Sequence, residues 1–154
     1  MRAYLIRLAR TLLVTLWAGS LWTVGYLIAP VLFATLADRR LAGTIAGSLF
    51  RAEAWLSVAC GLLLLTIFRA EPNRILRNNG SRLVIGMLLC VLIGYFALQP
   101  FMAEIRAAEA ASGGVMNDAM RTRFGLLHGI ASVVYLIQSL LAAVLVWRSC
   151  AEQG

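Results

Sequence analysis

The chain has 154 residues, 61% of them hydrophobic and only 14% charged, with a mean hydropathy of +0.83. An ordinary soluble domain carries roughly a quarter charged residues, so this composition excludes a water-soluble domain, and it equally excludes disorder, which needs few apolar residues. The 14 basic residues are all arginines, set against 7 acids; they flank apolar runs and form no continuous basic face, which points to membrane orientation and away from nucleic acid.

Residues 11–37 are free of charge. About 20 apolar residues cross a bilayer as a helix, whereas the apolar core of a signal peptide is roughly 7–15 residues. The first span is therefore expected to be retained. The second is less clean: residues 54–68 are uncharged, and the span must borrow Ala42 to Ala52, which include Arg51, with Glu53 at the junction. A third run covers 83–103 and a fourth 124–147. Asp38-Arg39-Arg40 reads as a tight hairpin between the first two spans. Glu71-Pro72-Asn73 and Asn78-Asn79-Gly80 read as turns in the second connection. In the third connection, Ile105 to Ala111 should continue the helix, Ser112-Gly113-Gly114 should break it, and Asn117 or Asp118 should cap the next one. No internal repeat stands out. The expected fold is all-α: one membrane domain over 1–154, an integral four-helix bundle with spans near 11–37, 45–68, 83–103 and 124–147.

With this topology the side holding both termini carries eight arginines and two acids, and the other side six arginines and five acids. The positive-inside rule then places both termini in the cytoplasm. Small residues mark contact faces between helices in lipid. Gly43 and Gly47, then Gly86, Cys90 and Gly94, then Gly125 and Gly129 follow the four-residue step. The same faces serve a bundle or an oligomer. Cys60, Cys90 and Cys150 are odd in number and form no C-x-x-C pair, so thiol–disulfide chemistry is not expected and the first two read as packing residues. One His and scattered Met residues offer no convincing metal or cofactor set, and none is expected.

Ionisable groups within a span are costly unless paired or hydrated. Glu53 shares a helical face with Ser57 and Gly61. His128, the one histidine, heads a polar stripe with Ser132, Tyr135 and Ser139. Gln99 precedes Pro100, and Glu104 follows about one turn later. Placed near the non-cytoplasmic ends of their helices, Glu53, Gln99, Glu104, His128 and Ser132 either line a polar pocket open to the periplasm or make interhelical hydrogen bonds that fix register.

Trp17 and Trp22, then Leu32-Phe33, Gly43 and Ser48-Leu49-Phe50, resemble the first hairpin of a known family. Gln99-Pro100 is similar to its third helix, and Phe124, His128-Gly129 and Ser132 are similar to its fourth-helix signature. The family is a four-span domain of unknown function shared by bacterial inner-membrane proteins and the eukaryotic transmembrane protein 205. The resemblance implies four helices in a bacterial inner membrane and makes Trp17, Phe33, Gly43, Phe50, Pro100, His128 and Gly129 family-type positions; it implies no reaction. Tyr135 stands where the pattern would have Asn. Trp17-Ala18-Gly19 and Pro30-Val31-Leu32-Phe33 also resemble, more loosely, the haem-containing four-helix protoporphyrinogen oxidases, but the first-helix His and the Lys of that group are missing.

The functional expectation is a non-enzymatic inner-membrane protein that packs against a second copy or another membrane protein. A small oligomeric transporter with a periplasm-facing site is the alternative, and a haem- or quinone-binding redox protein the third.

Overall fold

A computed structural model describes residues 1–70, 74–113 and 115–151 of the chain. Helix one comprises Arg2–Trp22, a wide π-turn at Thr23–Ile28, and Ala29–Thr35. Helix two is Arg39–Arg69. Helix three comprises Arg74–Val91, a second π-turn at Leu92–Leu98, and Gln99–Ala111. Helix four is Asp118–Ala151. Each contains a stretch long and apolar enough to cross a membrane. The protein is thus an all-α, four-helix membrane bundle.

The connections follow local chemistry. Asp38 leaves helical geometry, and its Oδ1 accepts from the Arg40 N–H at 2.8 Å and the Leu41 N–H at 3.3 Å, satisfying donors that a helix start leaves open. Gly113 has φ +71, a left-handed conformation that suits glycine after a helix end. Asn117 caps helix four by accepting from the Met120 N–H at 2.8 Å. Glu71-Pro72-Asn73 and Gly114 lie outside the described residues. The turn expected at Asn78-Asn79-Gly80 is instead helical. Phe68 of helix two packs where a Cβ on Gly80 would sit, so tertiary packing overrides the local turn preference of these residues.

Successive helices are neighbours, and helix four closes against helix one. The best-packed part is the end holding the termini, termed proximal. Val14, Trp17, Ala18 and Leu21 meet Cys60, Leu64 and Phe68, Val84 and Met87, and Ala142 and Leu145 there. Lipid tails are as apolar as these side chains, so close fit and dispersion drive the association. Small residues on helices two and three make the fit possible: a Cβ on Gly61 would fall 2.6 Å from Leu88, and one on Gly86 would touch Leu141 at 3.3 Å.

The distal half is looser. Among the described residues, no Cα of Ala29–Thr35 comes within 8 Å of helix four, and none of Gln99–Ala111 comes within 8 Å of helix two. The helix one–two hairpin and the helix three–four hairpin therefore diverge. An ion pair among the described residues spans the rim, from Arg40 to Glu109 at 3.4 Å.

The two π-turns share a local pattern of Gly-Tyr followed by Pro. Val24-Gly25-Tyr26 with Pro30 and Ile93-Gly94-Tyr95 with Pro100 occupy equivalent places in helices one and three. Each proline sits at the start of the segment after its π-turn. Proline lacks an N–H and its ring collides with the carbonyl four residues back in a regular helix, and a wider turn relieves that crowding.

Candidate functional site

Helix two begins at Arg39, several residues before the span read from sequence, and this places Glu53 one residue from its midpoint at Ala54. Glu53 is thus central in the bundle and not near a helix end. It is buried, and it has partners. Ser57, one turn on, donates its hydroxyl to Glu53 Oε1 at 3.2 Å. Trp17 of helix one donates its indole N–H to Ser57 Oγ at 2.7 Å. Ser20 lies near the same carboxylate and donates its hydroxyl to the Trp17 carbonyl at 3.0 Å. A buried carboxylate with three polar neighbours is the arrangement that a low-dielectric interior tolerates.

Beside it lies a second polar contact that the sequence did not announce. Tyr135 of helix four donates its hydroxyl to the Leu21 carbonyl at 2.6 Å. The Gly25 N–H, whose α-helical acceptor would be that carbonyl, faces the same hydroxyl oxygen. The phenol is thus inserted into the backbone ladder of helix one at its π-turn. Gly25 is obligatory there, because a Cβ would collide with the Tyr135 ring. Tyr26 donates to Ser139 Oγ at 3.0 Å, and Tyr26 and Phe50 stand edge-on to Tyr135 with centroids 6.1 and 5.5 Å away. Gln138 is buried nearby in sequence.

The distal residues form a different group. His128 is exposed and stacks parallel on Phe124, with centroids 6.1 Å apart. The Arg106 guanidinium lies 5.9 Å from the Phe124 centroid, so Arg106, Phe124 and His128 form a ladder. Ser132 is exposed and returns its hydroxyl to the His128 carbonyl at 2.8 Å. Glu104 is exposed, and Gln99 is half-buried on the helix-two side. Glu53 keeps its partners on helices one and two, while Gln99 and His128 belong to the distal cleft. Arg106 and Tyr135 are the residues that sequence reasoning undervalued; an Arg seven residues beyond a Gln on one helix face was the available signal.

Of the family-type positions, Trp17 is buried in the core and Phe50 packs on Tyr135. Phe33 and Pro100 are exposed. Gly43 and Gly129 have no neighbour within 4 Å of a Cβ position. Gly125 and Gly129 instead floor a shallow apolar groove with Leu126, Ile130, Val133 and Val134, on the face of helix four turned from the core. Among the described residues, no three His, Cys, Asp or Glu side chains gather as a metal site would require.

The family model described as Domain of unknown function (DUF4149) matches residues 12–111. The chain belongs to this family. The DUF4149 match takes in both π-turns, the Glu53–Ser57–Trp17 cluster, Gln99 and Arg106; Phe124, His128 and Tyr135 of helix four lie beyond it. No curated protein and no solved structure is significantly similar to this DUF4149 chain.

Proposed function

We propose that this protein is a non-enzymatic interaction or accessory protein of the bacterial inner membrane, with both termini cytoplasmic and its distal end periplasmic. The observation that carries this reading is Arg51. It is exposed on helix two, three residues from the helix midpoint, or about 4.5 Å along the axis. A guanidinium on an outward face at that depth costs several kcal/mol unless it snorkels or meets a partner. Trp55, one turn away, is 59% exposed on the same side. A second copy of the chain or another membrane protein that offers an acceptor there would cover both. The arginine asymmetry between the two ends supports the orientation.

The test is native mass spectrometry of the protein excised from its own membrane in polymer-bounded nanodiscs. Wild type is expected to leave with a second polypeptide, and Arg51→Leu to leave alone. A wild-type monomer carrying lipid only would overturn the reading.

The divergence of the two hairpins favours a second reading, a small oligomeric transporter using the distal cleft. It predicts a pH-dependent phenotype that changes in Glu53→Gln. The ordered motifs from Trp17 to Ser132 support common ancestry with the transmembrane protein 205 group, and this kinship adds no activity to either reading.

A further inference from the structure

Arg106 stands three residues beyond Ala103, the end of the charge-free run of helix three, which is the depth of lipid headgroups. Gln99 lies seven residues earlier on the same face. Both side chains reach towards helix two at Gly47. An atom at the Cβ position of Gly47 would lie 3.6 Å from Arg106 Nη1 and 3.9 Å from Gln99 Nε2. Two donor groups from helix three thus converge on a point over helix two that no side chain fills.

Neither donor is used up. Arg106 spends its Nε on the Met102 carbonyl at 3.3 Å. Among the described residues no carboxylate lies within 4 Å of its guanidinium: Glu109 pairs with Arg40 and Glu53 with Ser57. The Gln99 amide has no hydrogen-bond partner among the described residues. The ring of Phe124, itself stacked on His128, has its centroid 5.9 Å from the guanidinium carbon. A preorganised fork of N–H donors beside an amide, at headgroup depth and with no carboxylate paired to it among the described residues, has the chemistry of a phosphate site.

We propose that Arg106, Gln99 and the open face of Gly47 form a binding site for a phosphate-type oxyanion in the distal cleft between the hairpins. Arg106 supplies the charge and the fork, Gln99 a further donor, and Gly47 the room. The phosphodiester of an anionic phospholipid and free inorganic phosphate share this chemistry. The site does not depend on the partner contact at Arg51.

The experiment has two arms, each run on wild type, Arg106→Gln and Gly47→Ala. In the first, protein in phosphatidylglycerol nanodiscs is released for native mass spectrometry, with phosphatidylcholine nanodiscs as control. In the second, inorganic phosphate is titrated against the protein in uncharged detergent, with melting as readout. Gly47→Ala keeps Arg106, and its methyl meets both donors at ordinary contact distances, so it blocks the point without upsetting the helix. One retained phosphatidylglycerol per chain, weakened on the order of tenfold or more in both variants, supports the site with a lipid source. Stabilisation by inorganic phosphate that both variants lose supports it with a soluble source. Absence of binding in both arms overturns the proposal, as does binding that neither variant alters.

Discussion

The hydroxyl of Tyr135 sits 2.6 Å from the carbonyl oxygen of Leu21, and its ring fills the space that Gly25 leaves by having no Cβ. One side chain of helix four therefore ties down the wide turn of helix one. Tyr135→Phe keeps the packing and loses the hydrogen bond, so it is expected to cost about 1 kcal/mol. Gly25→Ala drives a methyl into the ring and should cost about 1–3 kcal/mol. Unfolding in mixed dodecyl sulfate micelles measures both. The pair Gly25→Ala with Tyr135→Leu should recover part of the loss; a strictly additive pair would refute the contact.

Ser57 links two buried groups, accepting from Trp17 and donating to Glu53. Ser57→Ala is expected to destabilise by about 1–3 kcal/mol, because it strands an indole N–H and weakens the setting of a carboxylate. The Trp17 emission should change in the folded state at the same time. Unchanged emission and stability would mean that the indole has another acceptor.

Glycines separate into packed and open positions. A Cβ on Gly61 would meet Leu88 at 2.6 Å, while one on Gly43 meets nothing within 4 Å. Gly61→Ala should lose about 1–3 kcal/mol. Gly43→Ala should be neutral or gain up to about 1 kcal/mol from helix propensity. The same micelle unfolding assay ranks them, and equal effects would contradict the packing described.

The rim pair between Arg40 and Glu109 is mostly exposed on the arginine side, at 58%. Such pairs contribute little, and Arg40→Ala is expected to change stability by less than about 1 kcal/mol, with the difference shrinking as salt is raised. A large, salt-independent loss would show that this pair holds the two hairpins together at their distal ends.

The four helices were legible because apolar length is read directly from residues 11–37, 83–103 and 124–147. Helix two was harder: its distal half carries Arg51 and Glu53, which hydropathy treats as a boundary, and this displaced Glu53 from the centre to an end. Asn78-Asn79-Gly80 misled for the opposite reason, since a local turn preference is outvoted by Phe68 packing on Gly80. Glu53 is buried with a partner in Ser57, whereas Gln99, Glu104, His128 and Ser132 do not join it, because pairing depends on rotation of each helix about its axis. That rotation is set by contacts such as Trp17 with Ser57 and Tyr135 with Leu21, 40 and 114 residues apart in sequence, which no periodicity encodes.

A π-turn holds one residue more than the helix around it requires. Helices one and three therefore each carry a spare residue, at Thr23–Ile28 and Leu92–Leu98. Side chains beyond the spare are out of phase by about 100° with those before it, so a single helical wheel drawn over either span superimposes two unrelated faces. Deleting one residue inside Thr23–Ile28 would close that turn into regular helix, leave Pro30 and Phe33 near their present bearing with the proximal core in register, and restore the crowding at Pro30 that the wide turn relieves. Length changes in this chain have two built-in joints at which to be absorbed, and both lie within the bilayer.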